Sequence, residues 1–294
     1  MKPRVAVFLG LAACTGTARP DTSGADPVPE RVQFAEVSAG AYYTCGITVD
    51  SRIHCWGEDT DGQVSGAPDG EWVSVSAGTM HACALSAAGE FACWGSDSYG
   101  QVSEAPTGTP VRAVSAGGAH TCLLDASGVV DCWGYNGGRQ TLVPPGEYTA
   151  ISAGGLISAA LTTDGSVAVW GDLTLWDDYT PSAAFVEISA GSFVAGVTDS
   201  GDLRCWGNMW VPYCEEAPRA DVVRLELGAG FGCGLGAEGA IVCWGPTSDH
   251  TFLTAVPEGD GFEQVSVGYA HACALRSGEL TCWGSDAQGE STPP

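Results

Sequence analysis

The chain has 294 residues, enough for one large domain or two ordinary ones, and 45% of them are hydrophobic, enough to bury a sizeable core. Eleven basic residues face 35 acidic ones, for a formal net charge of −24. A surface this acidic repels phosphate backbones and anionic lipid headgroups, which argues against nucleic acid and for cationic partners or bound cations.

The chain begins with a basic stretch at Lys2 and Arg4, then a short apolar run from Val5 to Ala13. That run is too short to cross a bilayer as a permanent helix. Leu11-Ala12-Ala13-Cys14 resembles a bacterial lipobox, in which the cysteine becomes the lipid-modified first residue of a lipoprotein. The resemblance makes residues 1–13 a signal peptide and Cys14 the lipidation site. In lipoproteins of two-membrane bacteria, a residue other than Asp after that cysteine favours the outer membrane, and Thr15 stands there. Residues 14–31 are rich in Pro, Gly and Asp and read as a flexible tether. The expected location is therefore the cell envelope, with the lipid as the only membrane contact and the domain facing the periplasm or the outside.

From residue 32 to residue 294 one pattern recurs seven times: a Val-Ser-Ala-Gly stretch, a first Cys, a Gly turn and a Cys-Trp-Gly. Its leading glycines are Gly40, Gly78, Gly117, Gly154, Gly191, Gly228 and Gly268, spaced by 37 to 40 residues. Such a period marks a repeat architecture, here within one domain. In the second copy Val73, Val75 and Ala77 alternate with polar or differently directed neighbours, which predicts a strand ending at Gly78. His81–Leu85 and Glu90–Trp94 predict a second and a third. A polar loop ending in Gly100-Gln101 and a Pro-bounded segment (102–106) follow. Three to four short strands in about 38 residues, without helical periodicity, predict an all-β fold built of propeller blades.

Thirteen cysteines leave an even twelve once Cys14 is set aside. Five copies carry a pair nine or ten residues apart: Cys45 and Cys55, Cys83 and Cys93, Cys122 and Cys132, Cys233 and Cys243, Cys273 and Cys282. Pairing two strands about the turn sets each first Cys opposite its second, with Cα atoms about 4.5 Å apart, close enough for a disulfide. The fourth copy loses both positions together, to Ala159 and Val169. The fifth keeps Cys205 but places Gly196 at the partner position, so a substitute bond to Cys214 is expected. Metal binding by these cysteines with His54, His81, His120 and His271 is the lesser reading, because the sulfurs pair within each copy and an exported chain meets an oxidising compartment.

The copies at 76–101 and 115–140 (SAGGAHTCLLDASGVVDCWGYNGGRQ) resemble the regulator of chromosome condensation repeat, in the short form of exported bacterial proteins. The resemblance covers Val32 to about Gly289 and implies a seven-bladed β-propeller. The family includes nucleotide-exchange factors for small GTPases and a propeller that inhibits β-lactamases. Exchange on a cytosolic GTPase does not suit a chain that looks exported. Copies four and six depart from the pattern, at Ser158-Ala159 and by the missing Gly-Gln, which puts their regularity in question. Closure of the ring is expected to use residues 31–37, as a strand beside the last blade.

The recurring Trp and His are read as scaffold, because one residue at the same place in each blade serves packing. Function is sought in what varies. The pair of residues after each repeat Gly, and the loop after each Cys-Trp-Gly, should share one end of the propeller. The first set contributes Tyr42, Phe193 and Tyr269, the second Tyr99, Tyr135, Trp176, Tyr179, Trp210 and Tyr213. Asp59, Asp61, Asp97, Asp177, Asp178 and Asp249 lie among them. Aromatic anchors edged by charge suit a binding surface for a protein or a cell-envelope polymer. A monomer without cofactor or resident metal is expected. Asp59-Thr-Asp61-Gly62 resembles the start of a calcium loop but lacks the closing Glu. No serine-hydrolase, zinc-protease or nucleotide-binding motif is present, and a polysaccharide-acting enzyme using loop carboxylates is the alternative reading.

Overall fold

The computed structural model describes residues 32–108, 110–174, 181–207, 217, 222–245 and 255–294. Residues 32–294 form one compact unit, distinct from residues 1–31. It is a β-propeller of seven antiparallel sheets, each of three strands in sequence order.

The first blade is β1 (Phe34–Ala39), β2 (Tyr43–Thr48) and β3 (Ile53–Gly57). The second is β4 (Ser74–Ala77), β5 (His81–Leu85) and β6 (Phe91–Gly95), close to the strands predicted for that copy. The third is β7 (Val111–Ala116), β8 (His120–Asp125) and β9 (Val130–Gly134), and the fourth β10 (Tyr148–Ala153), β11 (Ile157–Thr162) and β12 (Val167–Gly171). The fifth is β13 (Phe185–Ala190), β14 (Val194–Thr198) and β15 (Leu203–Trp206). The sixth is β16 (Val222–Leu227), β17 (Gly232–Gly236) and β18 (Ile241–Trp244), and the seventh β19 (Gln264–Val267), β20 (His271–Arg276) and β21 (Glu279–Gly284). Copies four and six are thus regular blades. No fourth strand forms among the described residues. Where one was conceivable, after Gly-Gln, the chain makes a turn instead.

Each blade binds the next through the residues that recur. The Trp of one blade packs on the middle strand of the blade before it: Trp94 on Tyr43, Cys45 and Ile47, Trp170 on Cys122 and Leu124, Trp244 on Phe193 and Ala195. The Trp94 Nε1–H donates to the Gln63 carbonyl (2.9 Å), Trp133 to that of Gln101 (3.0 Å) and Trp170 to that of Gln140 (2.8 Å). The three glutamines are buried, and each Oε1 accepts the backbone N–H two residues before it. The Gly-Gln signature therefore fastens a loop to the following blade.

The inner strands are sheet edges, and their N–H groups need partners. Serines supply them. Ser38 accepts from Ala77 N–H (2.9 Å), Ser76 from Ala116 (3.0 Å), Ser115 from Ala153 (2.9 Å), Ser152 from Ala190 (2.9 Å) and Ser189 from Leu227 (3.0 Å). Ser266 accepts from Ala39 and closes the circle (3.0 Å). Closure thus runs from blade seven to blade one, but β1 belongs to the first sheet, pairing with β2, and reaches the last blade through separate hydrogen bonds, such as Phe34 N–H to the Gly278 carbonyl (2.9 Å) and Val37 N–H to Gln264 Oε1 (3.0 Å). The C-terminal loop completes the joint, since the Glu290 carbonyl accepts from Trp56 Nε1–H (3.0 Å) and Thr44 Oγ1–H (2.9 Å).

The seven leading glycines form a second circle, tighter than the first. A Cβ on Gly78 would lie 2.3 Å from the Gly117 carbonyl oxygen, one on Gly191 2.2 Å from that of Gly228, and one on Gly268 2.2 Å from that of Gly40. Glycine recurs at this position because the neighbouring blade's backbone occupies the space of a side chain.

Five disulfides join the middle and outer strands of blades one, two, three, six and seven in the expected pairs, with Cα atoms 4.0 to 4.1 Å apart. Ala159 and Val169 oppose each other at the same place in blade four. In blade five Cys205 opposes Ala195, not Gly196. The cause is a shorter turn. Gly191 N–H bonds to the Phe193 carbonyl, two residues on, whereas Gly40, Gly78, Gly117, Gly154, Gly228 and Gly268 each reach three residues on. One residue is missing from that turn, so every later position in β14 moves up by one. Cys205 is disulfide-bonded, and Cys214, its expected partner, lies outside the described residues.

Candidate functional site

The turns after the repeat glycines and the loops after Cys-Trp-Gly start from one end of the propeller. The backbone ties them together: Glu58 N–H donates to the Tyr42 carbonyl (2.9 Å), Ser96 to Met80 (2.8 Å), Tyr135 to Ala119 (2.9 Å) and Ser285 to Ala270 (2.8 Å). At the centre of this end the seven turns leave a depression of about 120 Å³, lined mainly by glycine and alanine. Pockets for organic ligands run to roughly 300–1,000 Å³, so this one suits no more than a small intruding group. A partner of any size lies across this end rather than in it.

The exposed side chains there form pairs. Tyr42 and Tyr269, from the turns of blades one and seven, have ring centroids 5.7 Å apart and are 40% and 51% exposed. Tyr99 and Tyr135, from the loops of blades two and three, are 4.8 Å apart edge to face, the first exposed and the second half-buried. Phe193 does not belong with them. It is buried against Trp244 and Leu227, because the shortened turn puts it where blade one has the buried Tyr43. Met80 and Leu156, which are not aromatic, are exposed on the equivalent turns as well, and their position directly before the middle strand is the sequence signal for it. Trp176, Tyr179, Trp210 and Tyr213 lie outside the described residues, as do Cys14, Asp177, Asp178 and Asp249.

The loop carboxylates have work of their own. One Asp59 oxygen accepts from Val64 and Ser65 N–H (both 2.9 Å), Asp97 from Val102 (2.9 Å) and Ser103 (3.0 Å), and Asp286 from Ser291 (2.9 Å). Asn136 does the same for Thr141 (3.2 Å) in blade three, so the job needs an oxygen and not a charge. The Ser65 backbone N–H holds Asp59 below the ordinary carboxylate range. The Asp59–Gly62 stretch is accordingly a turn closed on its own backbone.

The recurring histidines are buried and turned to the next blade. His81 Nε2 meets Thr121 Oγ1 (2.9 Å), His120 meets Ser158 (2.8 Å) and His271 meets Thr44 (2.8 Å). Burial lowers their pKa values, to about 3 for His81 and about 4 for His120 and His271, so they stay neutral in the fold.

The lumen has one irregularity. Glu226 replaces the serine in blade six, where it is open to the channel yet surrounded by protein. Loss of bulk solvation, then the carboxylates of Glu187 and Glu36, push its pKa up to about 8. Glu187 itself accepts from Leu225 N–H (2.6 Å), and Glu36 from Val75 N–H (2.9 Å) and Ser74 Oγ–H (3.0 Å).

The family model of the regulator of chromosome condensation (RCC1) repeat matches residues 34–63, 72–101 and 111–140, which are blades one to three. Three of the seven copies therefore match the RCC1 repeat. Among solved structures, this propeller is similar to the CRINKLY WD40 ectodomain of the Arabidopsis thaliana receptor kinase ACR4, at 26% identity and a TM-score of 0.74, over 90% of this chain and 99% of that one. The ectodomain of the Physcomitrella patens receptor kinase CR4 is also 26% identical, with a TM-score of 0.73, over 87% and 74%. Prp20p of Saccharomyces cerevisiae, whose structure was described with its binding to Gsp1p and histones, shares the fold at 15% identity and a TM-score of 0.66, over 87% and 83%.

Proposed function

We propose that this protein is an exported, lipid-anchored binding module of the bacterial cell envelope, holding a protein or a cell-surface ligand across the end formed by its turns and Cys-Trp-Gly loops. The observation that carries this reading is the two tyrosine pairs on that end, with Tyr42, Tyr99 and Tyr269 exposed, at positions where neighbouring blades carry different residues. Residues that vary between otherwise regular blades are not needed for the scaffold. The ring of inter-blade hydrogen bonds and disulfides holds those tyrosines in place, which lowers the ordering cost of binding. The structures at 26% identity being receptor ectodomains agrees with a module that acts outside the cytosol.

Carboxylates such as Asp59 are stabilised as anions, which suits attraction of a partner better than proton donation to a glycosidic oxygen. Pull-down from envelope extracts tests the reading. The double change Tyr42→Ala, Tyr269→Ala should deplete the captured partners while the propeller stays folded; unchanged recovery counts against it. Anchoring is tested separately, by the loss of the lipid mass and of membrane association in Cys14→Ser.

A further inference from the structure

We propose that the ligand of this end is a cationic polypeptide segment, rich in arginine or lysine, which lays its basic side chains on the tyrosines. This rests on the reading just given and assigns the partner's chemistry.

The charge balance of the end is one-sided. Asp59 and Asp61 from blade one, Asp97 and Glu104 from blade two, and Asp286 from blade seven are all exposed in its loops. Arg139, in the loop of blade three, is the one basic residue of this end among the described residues. The other arginines described, Arg52, Arg112, Arg204, Arg224 and Arg276, sit at the opposite turns or on strand segments toward that opposite end. Lysine is absent from residues 32–294 altogether. None of the five carboxylates takes part in an ion pair, since the one salt bridge among the described residues joins Arg204 to Asp202. Asp59, Asp97 and Asp286 are capped by their own loops' backbone N–H groups, and no cationic side chain among the described residues offsets their charge.

Tyrosine is the matching apolar element. Guanidinium and ammonium groups are attracted to its ring face, and the flat guanidinium also stacks on it. Tyr42 with Tyr269, between blades one and seven, and Tyr99 with Tyr135, between the acidic loop of blade two and the Arg139-bearing loop of blade three, present two such platforms, and the acidic loops of blades one, two and seven would take the cationic heads. Met80 adds an adaptable apolar contact on the turn next to Tyr42. A second copy of the chain is disfavoured as the occupant, because it would bring two acidic ends together. An anionic polymer is disfavoured for the same reason. The shallow central depression, about 120 Å³, accepts no folded element, which suits an extended segment lying across the end.

Blade three supplies the variants for the test. Asn136 caps its loop as Asp59, Asp97 and Asp286 cap theirs, so Asp59→Asn, Asp97→Asn and Asp286→Asn remove charge while keeping the cap. The probe is a fluorescein-labelled peptide of alternating arginine and leucine, with an aspartate–leucine peptide as its counterpart, titrated by fluorescence anisotropy at low and high salt. The arginine peptide should bind and weaken as salt rises. Each Asp→Asn change should cost about two- to fivefold in affinity, and Tyr42→Ala with Tyr269→Ala about tenfold or more. Circular dichroism checks the fold of every variant. Arginine-peptide binding indifferent to both sets of changes overturns the proposal, as does no binding, or equal binding of the acidic peptide. If the peptides fail while envelope pull-down still depends on Tyr42 and Tyr269, the cationic assignment falls and the binding face stands. If neither depends on the tyrosines, both fall.

Discussion

Gly154 and Gly155 are neighbours with opposite surroundings, and alanine at each should give opposite results. At Gly154 a Cβ would lie 2.3 Å from the Gly191 carbonyl oxygen and 3.1 Å from the carbonyl carbons of Ala190 and Gly191. Every obstacle is backbone, so no side chain can swing aside. Carbon atoms settle at roughly 3.5–4.0 Å from their neighbours, so blade five has to retreat by about 1 Å or the turn must deform. The retreat does not stop there, because Gly191 is itself packed against Gly228 at the same distance scale and the circle is closed. Overpacking of this kind costs about 1–3 kcal/mol. At Gly155 nothing lies within 4 Å of the added Cβ and φ is not positive. Gly155→Ala should be neutral, or stabilising by about 0.4–1 kcal/mol through the unfolded chain. The two proteins and the wild type are compared by guanidinium denaturation followed by tryptophan fluorescence, with disulfides intact. A loss of 1 kcal/mol corresponds to about 2–4 °C in Tm for a domain of this size class. Equal stability of Gly154→Ala and wild type, or equal damage from the two alanines, would falsify the glycine circle as the reason for the repeat.

Glu226→Ser restores the serine found in the other six blades and should stabilise the fold at pH 8, by about 1 kcal/mol or less because water in the channel screens the carboxylate. Because the folded pKa of Glu226 is raised to about 8 from 4.5, its contribution is fully present below pH 4.5 and is lost as pH rises toward 8; the serine variant should lack that alkaline decline in thermal melts. The buried histidines act in the opposite sense. Their folded pKa values lie at about 3 to 4, below the ordinary 6.5, so the unfolded chain takes up protons first and stability should fall as pH drops from 6.5 toward 4. In the Glu226→Ser background, which removes the opposing trend of that carboxylate, a melting temperature flat across that window would contradict their burial. His120→Ala leaves the Ser158 hydroxyl without this partner and empties a buried site, a cost of about 1–3 kcal/mol by urea titration. Intact-mass spectrometry without reductant should show six disulfides; thiol labelling of the native protein at any of the cysteines of blades one, two, three, six or seven would contradict the pairing.

How far the sequence could be read depended on what each residue answers to. The period of 37 to 40 residues, the alternation before each glycine and the paired cysteines are local patterns, and they were enough for seven blades, for strands such as His81–Leu85, and for five disulfides. Blade five departs from the pattern of the sequence, which puts Gly196 at a cysteine position and Phe193 on an exposed turn. Both differences have one source: counting five residues on from Gly191 assumes a turn of constant length, and here it is one residue shorter. A shift of one reverses inside and outside in a strand.

The sequence alone determined the number of blades, the strand pattern and the identity of the scaffold residues, because these follow from chain-local spacing and hydrophobic alternation. Tertiary structure decided what those residues do. Only the neighbouring blade explains why the glycine tolerates no side chain, why the Gln carbonyl receives the next Trp, and why His81 is a buried hydrogen-bonding group. It also decided that Tyr42 meets Tyr269, from opposite ends of the chain, because that pairing exists only once the ring has closed.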